Sequence, residues 1–419
     1  MVSPAPIARW PVRWPVLLGL LCAALSSGCA GDYIARTRGY RQAYEAYRYP
    51  EAEQGFASQV ASGPDIDKLL ALMDEGMVLH AAGKLEESIK VLAEADKLSE
   101  RLDFTSVSEE AKVLISSERE RVYRGEDFEK LMISTLQALN YAQLAKDEDA
   151  LVEVRRVNER MQRMINEEKK PYEQLAVARY LAAVLWEDQG HADDAFIDYM
   201  AANKLAGNLG TLAEPLVRLA KETGRDEAFQ TLRRQYPWAQ PKPVGPDEGQ
   251  ILVVLEAGKV PEKTTGNRNG GPSIGIIAVP VFRNRPWPHD SQVAVDGGPA
   301  VRPTMVTSLE QVAKIHLDHR MDGLIARQAG ALALRTGIAA GAGAATKSEA
   351  VGILTFLALS AVNQPDLRSW MSLPAEFELA RFRLPAGVHR LTVIAGGGAR
   401  ELQVDVRPRR VTLVVLRSY

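Results

Sequence analysis

From residue 66 to about residue 237 apolar side chains recur every three to four positions, and beyond a proline cluster they change to continuous runs and alternation. The first period belongs to amphipathic helices and the second to strands, so a helical half should precede a sheet-forming half. Ahead of the helices, Tyr33, Tyr40, Tyr44 and Tyr47 keep the spacing of one helix face, and Pro50 is expected to stop that helix. A packed tyrosine face is the first reading; rings resting at a lipid headgroup boundary are the second. Gly63-Pro64-Asp65 punctuates the chain before the next unit. A helix is expected around residues 106–122, and a long one ending before Pro171.

Residues 237–249 hold four prolines, which exclude a regular helix and predict a stiff linker over 238–248. After it, Ile251 to Leu255 and Ile274 to Phe282 are apolar runs rich in β-branched residues, as in strands covered on both faces, with a loop from Gly266 to Gly271 between them. Leu402, Val404 and Val406 alternate with polar neighbours, and Val411 to Leu416 is apolar throughout. Between Phe377-x-Leu379 and Phe382-x-Leu384 the alternation slips by one, which predicts a bulge near Ala380. A turn over Pro385 to His389 leads into Leu391 and Val393; this run resembles small β-sandwich modules of surface proteins with a PEGA-like turn.

Between the strand groups lies a helical insert, residues 308–362, with Gly337, Gly341 and Gly343 and a charge-free stretch from Ala350 to Val362. That stretch is short of the ~20 apolar residues of a membrane span, so a buried helix is expected, with a membrane-touching hairpin as the alternative. The fold class is therefore multi-domain α and α+β: a helical solenoid over 66–237, then a mixed β-sheet or sandwich domain over 249–419 carrying that insert.

Charge sharpens the division. Residues 249–419 carry 20 Lys and Arg against 13 Asp and Glu, whereas residues 29–248 carry 29 against 40, within a net charge of -2. Either the two halves neutralise each other, or the basic half faces an anionic surface such as lipid phosphates or an acidic partner.

The two cysteines are Cys22 and Cys29. Arg9 and Arg13, the apolar run Val16 to Leu25 and then Ser26-Ser27-Gly28-Cys29 follow the order of a secretory signal over residues 1–28. The last four residues resemble the lipobox of bacterial lipoproteins, with Ser26 standing where leucine is usual. The resemblance implies that Cys29 is acylated, palmitate included, and becomes residue one of the mature chain. An ordinary cleaved signal is the alternative. Ala30 stands where an aspartate would imply inner-membrane retention, so the expected address is the periplasmic face of a Gram-negative outer membrane, and nucleic acid is not an expected partner. Residues 29–65 then form an N-terminal helix and connector.

The helical half resembles tetratricopeptide repeats, in which helical hairpins of about 34 residues meet through small side chains. Leu72, Gly76, Leu79, Gly83, Ser88, Leu92 and Ala95 match in a first unit; Ala138, Tyr141, Ala150 and Val154 in a second; Ala183, Trp186, Gly190, Ala195, Tyr199 and Ala202 in a third; and Leu216, Leu219, Ala228 and Leu232 in a fourth. Ser88, Ala150, Ala195 and Ala228 are 62, 45 and 33 positions apart, so the solenoid should be irregular. An unrelated helical bundle is the other reading.

Signatures of catalysis are few. No Gly-x-Ser-x-Gly elbow, Walker-type loop or His-Glu-x-x-His pair is present. His316, His319 and Asp322 form the one metal-like cluster, read either as ligands on one helix face or as a solvated face. Asp366, Arg368, Trp370 and Glu376 form a polar segment in which a local ion pair or a cation over the indole would order a loop, a partner pocket being the alternative. The expected function is a non-catalytic, cofactor-free lipoprotein scaffold, holding an envelope protein in the groove of its repeats and serving envelope assembly or peptidoglycan synthesis. The alternatives are a C-terminal domain that binds lipid or hydrolyses a substrate through the His316/His319 region, and a structural part of a larger complex.

Overall fold

The computed structural model describes residues 33–103, 121–166, 175–207, 209–266, 279–361 and 365–419. Cys29, most of the helix expected at 106–122 and the loop expected after Gly266 lie outside these residues.

The chain opens with three short helices, α1 (Tyr33–Arg36), α2 (Arg38–Glu45) and α3 (Tyr49–Ser62). The single tyrosine-faced helix expected here is instead broken at Thr37 and again at Tyr47, whose φ of 60° reverses the chain. Pro50 starts α3 rather than stopping its predecessor. A proline in the first helical turn lacks only an N–H that would have had no intrahelical partner. Tyr33 and Tyr44 are buried and Tyr40 packs edge-on against Phe56, whereas Tyr47 is partly exposed.

Four helical hairpins follow: α4 (Lys68–Ala81) with α5 (Leu85–Asp103), α6 (Asp127–Gln143) with α7 (Asp147–Asn166), α8 (Ala176–Asp188) with α9 (Ala192–Ala206), and α10 (Ala213–Glu222) with α11 (Asp226–Gln235). All four close through one turn. Gly83, Ala145, Gly190 and Gly224 take φ of 76°, 56°, 79° and 66°. The next N–H in each reaches back 2.9 Å to the carbonyl of Leu79, Tyr141, Trp186 or Ala220, satisfying an orphan acceptor at the helix end. Small residues allow the helices to touch: a Cβ added at Gly76 would lie 2.5 Å from Leu92 Cδ2.

The first helix of each hairpin is buried on more than one side. In α6 every residue from Leu131 to Asn140 is buried, the pattern of a helix covered all round. Its second cover is a four-stranded sheet of β5 (Thr304–Ser308), β6 (Glu376–Pro385), β1 (Glu248–Ala257) and β9 (Val411–Arg417), in that order. Neighbours are antiparallel except β1 and β9. Leu252 and Val254 of β1 join Leu72, Leu136, Leu181 and Leu216 of the first helices in one core. Ile251, Val253 and Leu255 point the other way, into a second core against β4 (Gln292–Val295), β7 (Gly387–Ala395) and β8 (Gly398–Val406), which form an antiparallel sheet. The molecule is layered as helices, sheet, sheet, and β2 (Glu262–Gly266) pairs with β3 (Val279–Arg283) as a ribbon.

This layering explains the slip in β6. The strand pairs with β1 without interruption, so no bulge occurs at Ala380; the irregularity lies in β5, between Met305 and Thr307. Phe377 and Leu379 face the helices, and Ala380, Phe382 and Leu384 face the second sheet. A strand covered on both faces has two apolar patterns, and the change from one to the other along the strand imitates a register slip.

The insert forms α12 (Leu309–Thr346) and α13 (Glu349–Ala361). Ser308 caps the first, its hydroxyl accepting from the Gln311 N–H at 3.3 Å.

Candidate functional site

The opposed charges of the two halves meet along the boundary between helices and sheet. Carboxylates from the helical side face bases from the C-terminal side: Glu45 meets Lys259 (3.0 Å) and Arg285, and Asp67 meets Arg368 (2.8 Å). Glu126 meets Lys263 and Arg320, and Glu187 meets Arg381 (2.6 Å). Arg410 reaches both Asp147 (3.2 Å) and Asp188 (2.5 Å). Part of the charge asymmetry is thus consumed inside the molecule.

Two knots of this seam are closed off from most of the solvent. Arg381 donates to Gln250 Oε1 at 2.7 Å, to the Tyr199 hydroxyl at 2.6 Å and to Glu187, while Arg218 takes the other Glu187 oxygen. Burial pushes the Glu187 carboxyl up, but the two guanidinium groups overcome it and hold the pKa at about 2. In the second knot Glu129 accepts from the Tyr123 hydroxyl (2.6 Å), the Glu126 N–H (2.8 Å) and the Trp370 N–H (2.7 Å). Burial, followed by the charge of neighbouring Glu126, raises Glu129 to about 7. Glu126, equally buried but facing Lys263 and Arg320, is held at about 2. His80 bridges helix and sheet between Asn140 Oδ1 (2.5 Å) and Glu256 Oε1 (3.1 Å). Burial lowers its pKa, but Glu256 more than offsets this and the net shift is upward. These groups tie the helices to the sheet, which suits cohesion.

The residues singled out by sequence separate. His316 is buried, its ring edge-on to Phe128 with centroids 5.8 Å apart, whereas His319 and Asp322 are exposed. Three residues along a helix turn about 300°, so the edge of the buried face falls between the two histidines. Among the described residues no group of three or more His, Cys, Asp or Glu side chains is placed to hold a metal. Arg368 pairs with Asp366 (2.7 Å) as expected, but it lies over Tyr123 rather than Trp370 and also donates to the carbonyls of Ile66 and Arg121. Trp370 is wholly buried, and Glu376 sits apart, beside Glu378. The segment is a clamp onto the helices. Glu126, Glu129 and Glu187 went unnoticed in the sequence; their signal is an acid placed on a helix face that is otherwise apolar.

The groove expected to receive a partner is occupied by the chain itself, because the first helices of the hairpins lie against β1, β6 and β9. The insert is one apolar surface that remains uncovered. Val312, Ala313, Leu317, Met321 and Leu324 bury the start of α12. Beyond them the helix leaves the body, and α13 folds back along it. Contrary to expectation, the described side chains of the apolar stretch are not in the core: Ile353 and Leu354 are 54% and 65% exposed. The hairpin is held by a close approach in which a Cβ on Gly343 would lie 3.4 Å from Gly352 Cα. An open groove of about 450 Å³ runs beside it, lined by Ala339, Ala340, Gly352, Ile353 and Phe356 among others. Leu334 and Ile338, one helical turn apart, are each 38% exposed.

No family model and no curated protein matches this chain. Solved structures of MamA are similar to part of it. A MamA mutant shows 18% identity and a TM-score of 0.31 over 48% of this chain and 91% of that one. MamA AMB-1 shows 18% identity and a TM-score of 0.30, covering 49% and 94%, and MamA MSR-1 shows 17% and 0.29, covering 48% and 95%.

Proposed function

We propose that this chain is a non-catalytic scaffold of tetratricopeptide-like hairpins, anchored by acylated Cys29 to the periplasmic face of the outer membrane and binding a protein partner of the cell envelope. The observation that carries the reading is the filled groove. With the inner helices committed to the sheet, the repeats offer a partner their outer helices, where Val152 of α7 and Ile197 and Met200 of α9 are 43%, 54% and 37% exposed. Exposed apolar side chains on a rigid frame are the raw material of an interface core. The ion pairs that join helices to sheet make a rigid frame, which supports a placing role.

Two measurements test this. A photo-crosslinking residue at Ile197 is expected to join one discrete protein in cells, and one at buried Leu252 none; lipid adducts alone, or no adduct at Ile197, would count against the scaffold. Metabolic labelling should place palmitate on the chain and lose it in Cys29→Ala. A chain without label removes the anchor from the proposal.

A further inference from the structure

We propose that the α12–α13 hairpin is a membrane-contact element that lies along an anionic lipid surface. The proposal rests in part on the anchoring of Cys29, and its test is chosen to stand without it. The hairpin has the physical character of an interfacial element: Leu334, Ile338, Ile353 and Leu354 are presented to the outside, and no compensating cover exists among the described residues. No helix among the described residues is long and apolar enough to cross a bilayer. Lys347 and Glu349 at its turn also oppose deep insertion, which leaves a hairpin lying flat with its apolar side chains at the acyl boundary.

Charge chooses between a lipid surface and a second copy. Residues 323–361 contain Arg327, Arg335 and Lys347 against Glu349 alone. Two such hairpins would set one net charge of +2 against another, whereas an anionic headgroup surface would attract that charge.

The position of the N-terminus agrees. Cys29 is four residues from Tyr33, at most about 14 Å of chain. From there one run of contacts leads to the base of the hairpin. Arg36 pairs with Asp67 (2.5 Å), Asp67 with Arg368, and Arg368 lies over Tyr123, 5.2 Å from the ring centre. Tyr123 donates to Glu129, one turn from Glu126, which pairs with Arg320 of α12. Arg36, near the N-terminal end of the described residues, and Arg320, at the base of the hairpin, therefore sit on the same network. From Ile325 to Thr346 the helix extends a further ~33 Å, long enough to lay an apolar face along a membrane surface.

The test uses the full chain with Cys22→Ser, Cys29→Ala and Leu354→Cys, so that one thiol carries an environment-sensitive fluorophore. It is added to phosphatidylcholine vesicles with or without phosphatidylglycerol, and a chain labelled at Glu401→Cys serves as control. The expected result is a blue shift and quenching by shallow doxyl lipids at position 354 but not at 401, stronger on the anionic vesicles. Leu334→Glu with Ile338→Glu, both at exposed positions, should lower the affinity by roughly tenfold with unchanged circular dichroism. The proposal is overturned by the absence of a shift on vesicles, by equal response on neutral and anionic vesicles, or by a shift without lipid that grows with protein concentration, the mark of a second copy. Acylation is read separately, as the mass of the Cys29 peptide from the native chain, so either reading can fail alone.

Discussion

Replacing Glu187 by Gln isolates the electrostatics of the seam, because the amide keeps the shape of the carboxylate and removes its charge. In the folded chain Glu187 is enclosed by Arg218, Arg381, Tyr199 and Gln250, with its pKa depressed from 4.5 to about 2. At about 1.4 kcal/mol per pH unit that depression corresponds to roughly 3 kcal/mol of stability. The sign follows from the direction: a carboxylate with a lowered folded pKa contributes fully above its unfolded value near 4.5 and loses the contribution as pH falls through 2. More than half should be gone by about pH 3. In Glu187→Gln two buried guanidinium groups lose their shared counter-ion, a change that costs about 3–5 kcal/mol at pH 7. The variant has nothing to protonate at this position, so its deficit should shrink by about 2 kcal/mol between pH 7 and pH 3. Urea unfolding of both chains at the two pH values, followed by circular dichroism, reads the double difference. A deficit below ~1 kcal/mol at pH 7, or one that stays constant with acid, would refute the account of the seam.

Two further outcomes follow from neighbouring features. Glu129, raised to about 7 by burial and by Glu126, stabilises the fold most below its unfolded value of 4.5 and progressively less as pH rises through 7; Glu129→Gln should therefore flatten the unfolding midpoint between pH 5 and pH 8, and an unchanged slope would mean that Glu129 does not titrate there. Gly76→Ala places a Cβ 2.5 Å from Leu92 Cδ2 and 2.7 Å from its Cγ, so the leucine or the helix must shift; a loss of about 1–3 kcal/mol in denaturant unfolding is expected, and none would show that α4 and α5 can adjust at low cost.

Much of the local structure was legible in the residues. The change from helical period to strand period, the proline-rich boundary, the small residues at helix contacts and the apolar runs of β1 and β9 all express forces that act within a few residues of one another. The candidate site was harder to read for the same reason. His316 and His319 share a helix turn in sequence, and only the position of Phe128 decides that one is buried. The tyrosine pattern and Pro50 are compatible with one helix or with two short ones, and the turn at Tyr47 depends on packing against Tyr419 and Tyr49.

The sequence by itself determined that helices come first and strands second, and that the two halves carry opposite charge. Only the tertiary structure decided that these charges face each other, that the groove of the hairpins is filled by the chain's own sheet, and that the most apolar helix of the insert stands outside the core. Periodicity reports which side of an element is apolar, but the identity of its cover depends on contacts across hundreds of residues, such as Arg381 with Glu187 and Arg368 with Asp67. No local pattern encodes which of several apolar faces finds a partner within the fold.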